Sequence, residues 1–490
     1  MNAGAVLFHG FKKHLNYINH KVIISKRKDG NGVNDAVTEQ LIEINKTTPI
    51  GLIITADMGS SDIVNISKIK DNFNPDFIVT DHHTIPDNSI INLLKGFFNP
   101  ERKDNKEHLP ISGCFVAFLT IVATKLQQDK NTPKEYFNDL LPYVAITTLT
   151  DVISLKYKIN RQVLHVGMHE INSLRNPLWR ILKRVLKINT IYDDVTIGFI
   201  IGPLLNTGNR TNNEELVLDL LTTDNIERIP ELITALVKLS NGRKKAQKIL
   251  YKEALQQILQ SDNYNSKANT PIIKTPYAIN GIIAGKLSDF NNKPSICFVD
   301  DDSDVLQGSA RGVAGDLNIV EIFKTIHSID DSIIKKYGGH KQAAGCAVYK
   351  NKINEFRKLL DETISTYKET TSPTLSIDLE ISPEEITPAL IDELAILRPA
   401  GKDLDAPILK SKLKLKRVFD FKALFKFIFT VGNRELEGMY FKNNYATFDH
   451  NNVVGFFEEV NYVNVIYNLE YANYGSNISL QLRILDVQRI

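Results

Sequence analysis

The residues best placed to do chemistry are Val79-Thr80-Asp81-His82-His83. A carboxylate beside two imidazoles at the end of an apolar run offers mixed oxygen and nitrogen ligands, a set suited to a divalent cation such as Mn²⁺. Adjacent histidines can also divide the labour, one binding metal while the other meets a phosphate oxygen. A lone His-His pair in a loop is commonly incidental, but two further carboxylates change the balance. Asp57 closes Ile53-Ile54-Thr55-Ala56, and Asp151 follows the apolar run from Val144 to Thr150. An aspartate at the end of an apolar segment is costly unless it is paired or holds a cation. Three such positions look like half of a two-metal site, of the kind that activates water and stabilises both oxygens of an in-line phosphoryl displacement.

These residues need elements to position them. Lys21-Val22-Ile23-Ile24-Ser25, Ile50 to Thr55 and Asp76 to Thr80 are short β-branched runs with helical patterns between them. The alternation predicts βαβ units and a parallel sheet, whose chemistry gathers in loops at the strands' carboxyl ends. Three such loops carry Asp29-Gly30-Asn31-Gly32, Asp57-Met58-Gly59-Ser60 and Asp81-His82-His83. From about Glu214 to Ser261 the pattern is helical, with a charged face that reads as solvated. Polar stretches at 262–271 and 369–375 read as linkers. Between them, strands and helices mix again, up to a glycine cluster from Gly338 to Gly345.

The last 83 residues hold 15 of the chain's 41 aromatics, and Leu413 to Lys416 and Phe425 to Phe427 alternate with period two. Antiparallel strands of a small barrel fit that pattern. Aromatics interleaved with lysines suit a platform for a single nucleic-acid strand; alternatively they fill the barrel's core.

At 490 residues the chain has room for roughly three domains. Its 43% hydrophobic and 24% charged residues match globular averages. A formal net charge of +2 neither demands nor excludes a nucleic-acid partner, so any basic surface is local. No apolar run approaches the ~18 residues of a membrane span, and no basic leader precedes the apolar N-terminal run. Cys114, Cys297 and Cys346 are widely spaced, which excludes a zinc knuckle or disulfide frame and points to a reducing compartment.

Asp57-Met58-Gly59, Thr80-Asp81-His82-His83 and Thr150-Asp151 resemble the second, third and fourth motifs of the DHH phosphoesterase superfamily. Much more of the chain resembles its RecJ branch, the single-strand-specific exonucleases. Ile24-Ser25-Lys26-Arg27 with Gly30-Asn31-Gly32 is similar to that branch's Arg-containing Gly-x-Gly loop. Ile201-Gly202-Pro203-Leu204-Leu205-Asn206 with Arg210 resembles its Gly-Pro-x-Leu-Asn…Arg element, and Asn241-Gly242-Arg243 looks like the start of a long basic helix. Gly308-Ser309-Ala310-Arg311 and Gly338-Gly339-His340 to Gly345 resemble the two signatures of the DHH-associated domain. Leu480 to Asp486 is similar to the last strand of the C-terminal oligonucleotide-binding (OB) domain.

The resemblance implies an α/β chain with a parallel-sheet DHH domain over 1–160 and a helical spacer over 161–265. An α/β DHH-associated domain over 266–370, a linker over 371–407 and an OB-like β-barrel over 408–490 follow. It implies a metal-dependent 5′-to-3′ exonuclease on single-stranded DNA, serving recombination, repair or replication in the cytoplasm. The cofactor would be Mn²⁺ or Mg²⁺. Single-stranded DNA would be its partner, with a single-strand-binding protein or other recombination proteins beside it, and no membrane. Asp57, His82 and Asp151 would be metal ligands, Asp57 bridging two ions. His83 would contact the scissile phosphate and Asp81 would orient the pair. Arg27, Asn206, Arg210, Ser309, Arg311, Gly338, Gly339 and His340 would contact the substrate.

The family's first motif, Asp-x-Asp-x-Asp-Gly, has no counterpart here. Its place would fall just before Met1, so the expectation is a nuclease domain truncated at its front, the natural product beginning upstream. The sheet would then lack a central strand, exposing apolar edges, and the site at least two carboxylates. Asn31 replaces the usual Tyr, Ser154 a frequent Pro, and Arg398-Pro399-Ala400-Gly401 erodes a linker motif. These departures mark a divergent member, bacterial or viral; for a viral protein the compartment is the host cytoplasm. Two other readings stand: a phosphodiesterase of short oligonucleotides or cyclic dinucleotides, and a non-catalytic single-strand-binding protein. Metal dependence separates the last from the others, and substrate length separates the first two.

Overall fold

The computed structural model describes residues 1–260, 266–313, 317–367, 375–422, 424–441, 453–457, 460–474 and 477–490. Most of the two stretches expected as linkers, 262–265 and 369–374, lies outside them. The chain divides into two compact units. The first is Met1–Ala246 with Pro276–Ala278 and Pro399–Asp405; the second is Gln247–Thr275, Ile279–Arg398 and Ala406–Ile490.

In the first unit, β1 (Leu52–Ile54), β2 (Asp76–Thr80) and β3 (Gly96–Phe98) form a parallel sheet in the order β1-β2-β3. Ile53 pairs with Phe77 and Val79 with Phe97. Helices Asp35–Thr47 and Ile63–Phe73 supply Leu41, Ile66 and Ile69 to the core around Phe77 and Val79. Local signals set their ends. Asn34 caps the first by accepting from the Val37 N–H, and Asn74 closes the second in the left-handed region. A larger helical core joins Asn2–His9, Gly113–Gln128 and Leu141–Thr150 around Val6, Phe115, Val144 and Trp179.

Lys21 to Ser25 does not form the expected strand. A strand persists through its ladder, and among the described residues the only strand paired with β1 is β2. The segment is held otherwise: Asn34 Nδ2 donates to Ser25 Oγ at 3.1 Å and the Arg27 N–H to Glu214 Oε1 at 3.2 Å. Leu52 on the free edge is 48% exposed. The long helix also begins earlier than Asn241-Gly242-Arg243 suggested. It runs Ile229–Gln260, with Pro230 in its first turn, where a missing N–H costs nothing.

The second unit holds a mixed sheet of β4 (Ile272–Ile273), β5 (Ser295–Val299), β6 (Val305–Arg311), β7 (Ile334–His340) and β8 (Ala343–Tyr349), ordered β4-β5-β6-β8-β7. Toward the C-terminus, β9 (Leu379–Glu380) lies beside β10 (Leu409–Asp420). With β11 (Leu424–Val431), β12 (Arg434–Phe441), β13 (Tyr462–Tyr474) and β14 (Asn477–Arg489), β10 closes a five-stranded barrel through its pairing with β11. The stretch read as a linker over 371–407 therefore contains β9 and the helix Pro388–Leu394. Phe425, Phe427 and Phe429 alternate onto the barrel's inner face with Tyr440 and Tyr467, all fully buried. Phe419, Phe421, Phe441 and Tyr462 stay exposed. No helix among the described residues is long and apolar enough to cross a membrane.

Candidate functional site

The carboxyl ends of β1 and β2 are tied together beyond their ladder. The Asp57 N–H donates to the Thr80 carbonyl at 2.8 Å, and the Thr80 hydroxyl to the Thr55 carbonyl at 2.6 Å. Asp57 adopts φ +64°, a left-handed conformation rare outside glycine and found at sites that demand it. Its carboxylate lies against the first turn of the helix Gly113–Gln128, the end that favours negative charge. A Cβ at Gly113 would stand 2.1 Å from Asp57 Oδ1 and 2.9 Å from its Cα. Gly113→Ala is therefore expected to displace Asp57 and weaken Mn²⁺ binding at least about 10-fold, the order seen when a group holding a ligand is lost. Calorimetric titration would check this, and unchanged affinity would show the aspartate does not bind.

Asp57, His82 and His83 each present one ligand atom, and these lie within 4.8 Å of one another. His82 Nε2 is 3.3 Å from Asp57 Oδ1, a buried oxygen with no well-formed hydrogen bond. A buried carboxylate oxygen left open toward two imidazoles fits a cation. Burial pulls His82 down, and the Asp57 carboxylate outweighs it, leaving the imidazole pKa raised.

Asp81 serves differently. It is 1% exposed, and its Oδ1 accepts from the backbone N–H groups of His82 at 2.8 Å and His83 at 3.3 Å and from His83 Nδ1 at 2.7 Å. Its Oδ2 accepts from the Ser60 N–H at 3.0 Å. Burial pushes its pKa up, but the His83 hydrogen bond and charge and the Ser60 N–H hold it down at about 2. The same bond, working against burial, raises His83 to about 9. Asp81 thus fixes the proton on Nδ1 and leaves Nε2 as the His83 ligand atom. Asn99 completes the frame, donating to the His83 carbonyl at 2.9 Å and to Ser60 Oγ at 2.8 Å. Ser60, Asn99 and Gly113 were missed from the sequence, although Asn99-Pro100 directly after the aromatic pair Phe97-Phe98 is a turn signal.

Asp151 caps the helix Leu141–Thr150 at its C-terminus and is not in the tight ligand cluster. Desolvation first, and then the like charge of Asp57, push its pKa up to about 6. The Asp57 charge places Asp151 within electrostatic reach of the cluster. Also in this unit, Arg27 is exposed on a short 3₁₀ turn. Asn206 joins two short helical turns, and Arg210 donates to the Ala278 carbonyl at 3.0 Å.

The other residues expected to contact substrate fall in the second unit. The register sets Arg311 and His340 on either side of Ala343, and Ser309 and Gly338 on either side of Gly345. Opposed residues share a face and alternate residues return to it, so Ser309, Arg311, Gly338 and His340 occupy one face with only Ala343 and Gly345 between them. Gly339 takes φ +137°, and a Cβ there would sit 2.6 Å from the Ala344 Cα; that close backbone approach requires glycine.

Three family models match in one order along the chain: the DHH family N-terminal domain at residues 1–148, the DHHA1 domain at 273–366 and the RecJ OB domain at 377–486. In all three matched regions the chain is similar to the RecJ branch of the DHH superfamily. Relatives of the RecJ family agree. The single-stranded-DNA-specific exonuclease RecJ of Haemophilus influenzae is 26% identical over 366 residues, covering 71% of this chain, and the chain spans 61% of that protein. RecJ of Escherichia coli is 24% identical over 484 residues, covering 94% of the chain and 81% of the relative. The fold matches RecJ in complex with Mn²⁺ from Thermus thermophilus, with TM-score 0.79 and 20% identity over 100% of this chain and 67% of that one.

Proposed function

We propose that this RecJ-like chain is a metal-dependent exonuclease that hydrolyses single-stranded DNA from the 5′ end. The observation that carries the reading is the Asp57, His82 and His83 cluster at the carboxyl ends of a parallel sheet. The three matched domains set it in a RecJ context. Asp57 and His82 would hold a Mn²⁺ or Mg²⁺ ion, with His83 and Asp151 completing its surroundings. When bound, such an ion supplies an activated water and neutralises charge on the phosphate. Asp81 keeps the His83 ring and its Nδ1 proton in place. His83, more exposed than His82, would present its Nε2 to the ion from the side open to substrate.

Arg27, Asn206 and Arg210 would contact the strand in the first unit. Ser309, Arg311, Gly338 and His340 share one face of the sheet suited to a phosphate backbone, and Gly339 would add its backbone N–H. The exposed Phe419, Phe421 and Tyr462, with Lys412 over the Tyr462 ring at 5.5 Å, suit stacked bases on the barrel. A substrate of several nucleotides needs these surfaces, whereas a cyclic dinucleotide does not. We place the activity in recombination, repair or replication, with a single-strand-binding protein or another recombination protein presenting the strand.

The test is digestion of a 5′-labelled single-stranded oligonucleotide with Mn²⁺ by the parent chain and by Asp57→Ala. Labelled mononucleotide from the parent alone is expected. Strand binding without cleavage would overturn the nuclease reading in favour of a binding protein, and cleavage that persists in EDTA would remove the metal from it.

A further inference from the structure

Beside Asp151 the first unit contains a cavity of about 620 Å³, within the size range of small-ligand sites. Thr150 and Val152, the chain neighbours of Asp151, form one wall. Phe199 and Asn206 come from the segment after Asp194, and Asp403 and Asp405 from the loop 399–405. Both segments are anchored. A Cβ on Gly202 would lie 2.4 Å from Thr150 Cγ2, so glycine lets the Phe199 segment close on the end of the helix Leu141–Thr150. The loop is pinned by the Leu155 N–H on the Lys402 carbonyl at 2.8 Å and by the Ala400 N–H on Asp194 Oδ2 at 2.9 Å.

Phe199 is 75% exposed although it lies on a single π-helical turn within an otherwise apolar stretch. Turns of this kind occur frequently at functional sites, and a large ring turned to solvent at a cavity wall buries nothing of the core. Asp194, Asp403 and Asp405 outnumber Lys402 in the lining, so the cavity repels a phosphate while its oxygens accept N–H donors. A flat apolar ring, an amide and acceptor oxygens match a nucleobase, which has a π-face and, in adenine, cytosine and guanine, an amino edge.

We infer that this cavity is a nucleobase subsite next to the cleaved phosphate, with Phe199 as its stacking platform. The inference rests on the nuclease reading above. It explains how strand position can be fixed beside the cleaved phosphate for any base, since every base can stack, with amino-bearing bases held more tightly.

The test uses the full chain with Mn²⁺ and phosphorothioate-linked single strands, either intact or carrying one abasic site at successive positions from the 5′ end. For the parent, an abasic site at one position near that end is expected to lower affinity about 10-fold, as loss of one base–aromatic stack does. Phe199→Ala should bind the intact strand about 10-fold more weakly and no longer sense that abasic site, while Phe199→Trp restores both. A purely structural role for Phe199 would weaken intact and abasic strands alike. That result, or a parent with no sensitive position, overturns the subsite and leaves the nuclease reading standing. A parent that binds none of the strands overturns both.

Discussion

Asp81→Asn is expected to weaken Mn²⁺ binding by about 10- to 100-fold when measured near the His83 pKa, although Asp81 itself binds no metal in this scheme. Loss of the partner that orients a ligating histidine has effects of that order. Asparagine keeps the shape but has one acceptor oxygen. If that oxygen serves the three donors now on Oδ1, the amide nitrogen faces the buried Ser60 N–H. An unsatisfied buried donor costs about 1–3 kcal/mol, so the loop that aims both imidazoles loosens.

The pH dependence carries the sharper test. With its pKa raised to about 9 by Asp81, His83 is protonated at neutral pH in the metal-free protein, and the cation must displace that proton. The variant loses the carboxylate and with it the rise, so its imidazole is closer to neutral before metal arrives. Its deficit should therefore be smaller at neutral pH and largest near the parent's folded pKa, where proton competition fades and orientation alone remains. Calorimetric titration at the two pH values separates the terms; equal affinities of parent and variant at the higher pH would sink the orienting role.

How much of this could be read from the sequence differs residue by residue. Asp57, Asp81, His82 and His83 were legible because each follows a β-branched run, and parallel strands deliver such positions to one edge. Their division of labour was not. Whether a carboxylate ligates or orients depends on which N–H groups face it, and for Asp81 three of four come from its own loop and one from Ser60. Gly113 was equally hidden, since its need for a bare Cα arises from Asp57, 56 positions earlier in the chain.

Lys21 to Ser25 failed for a related reason. Its β-branched residues fit a strand, but a strand also requires a neighbour with free ladder groups, and propensity alone does not provide one. The barrel was the converse case. Period-two alternation of Phe425, Phe427 and Phe429 settled which face they share, and closure through the β10–β11 pairing decided that the shared face is core. The core-filling expectation therefore holds for these residues, while Phe419, Phe421 and Tyr462 stay exposed on the outside.

Outside the site, His9 should make the first unit lose stability as pH falls below the ordinary histidine range. The ring is 5% exposed, donates from Nε2 to the Leu221 carbonyl at 2.8 Å and stacks on Tyr143 at 5.7 Å between centroids. Its Nδ1 is buried without a partner. Desolvation dominates and lowers the pKa from 6.5 to about 4, helped by Lys13 and opposed by the Leu221 carbonyl, Asp139 and Asp224. The unfolded chain consequently binds a proton that the folded one refuses between those values. Stability from this group is fully present above about 6.5 and falls as pH drops toward 4, by about 3 kcal/mol in total. His9→Gln keeps an amide N–H for Leu221 and has nothing to titrate there, so its stability should fall less steeply than the parent's across the window. Trp179, the chain's only tryptophan, is buried in the same core 5.8 Å from Tyr143 and reports unfolding there by fluorescence. The nearby His14–Asp139 pair, 2.9 Å apart, remains in both proteins. Equal slopes for parent and His9→Gln in denaturant titrations through this pH range would assign the acid sensitivity to that pair instead.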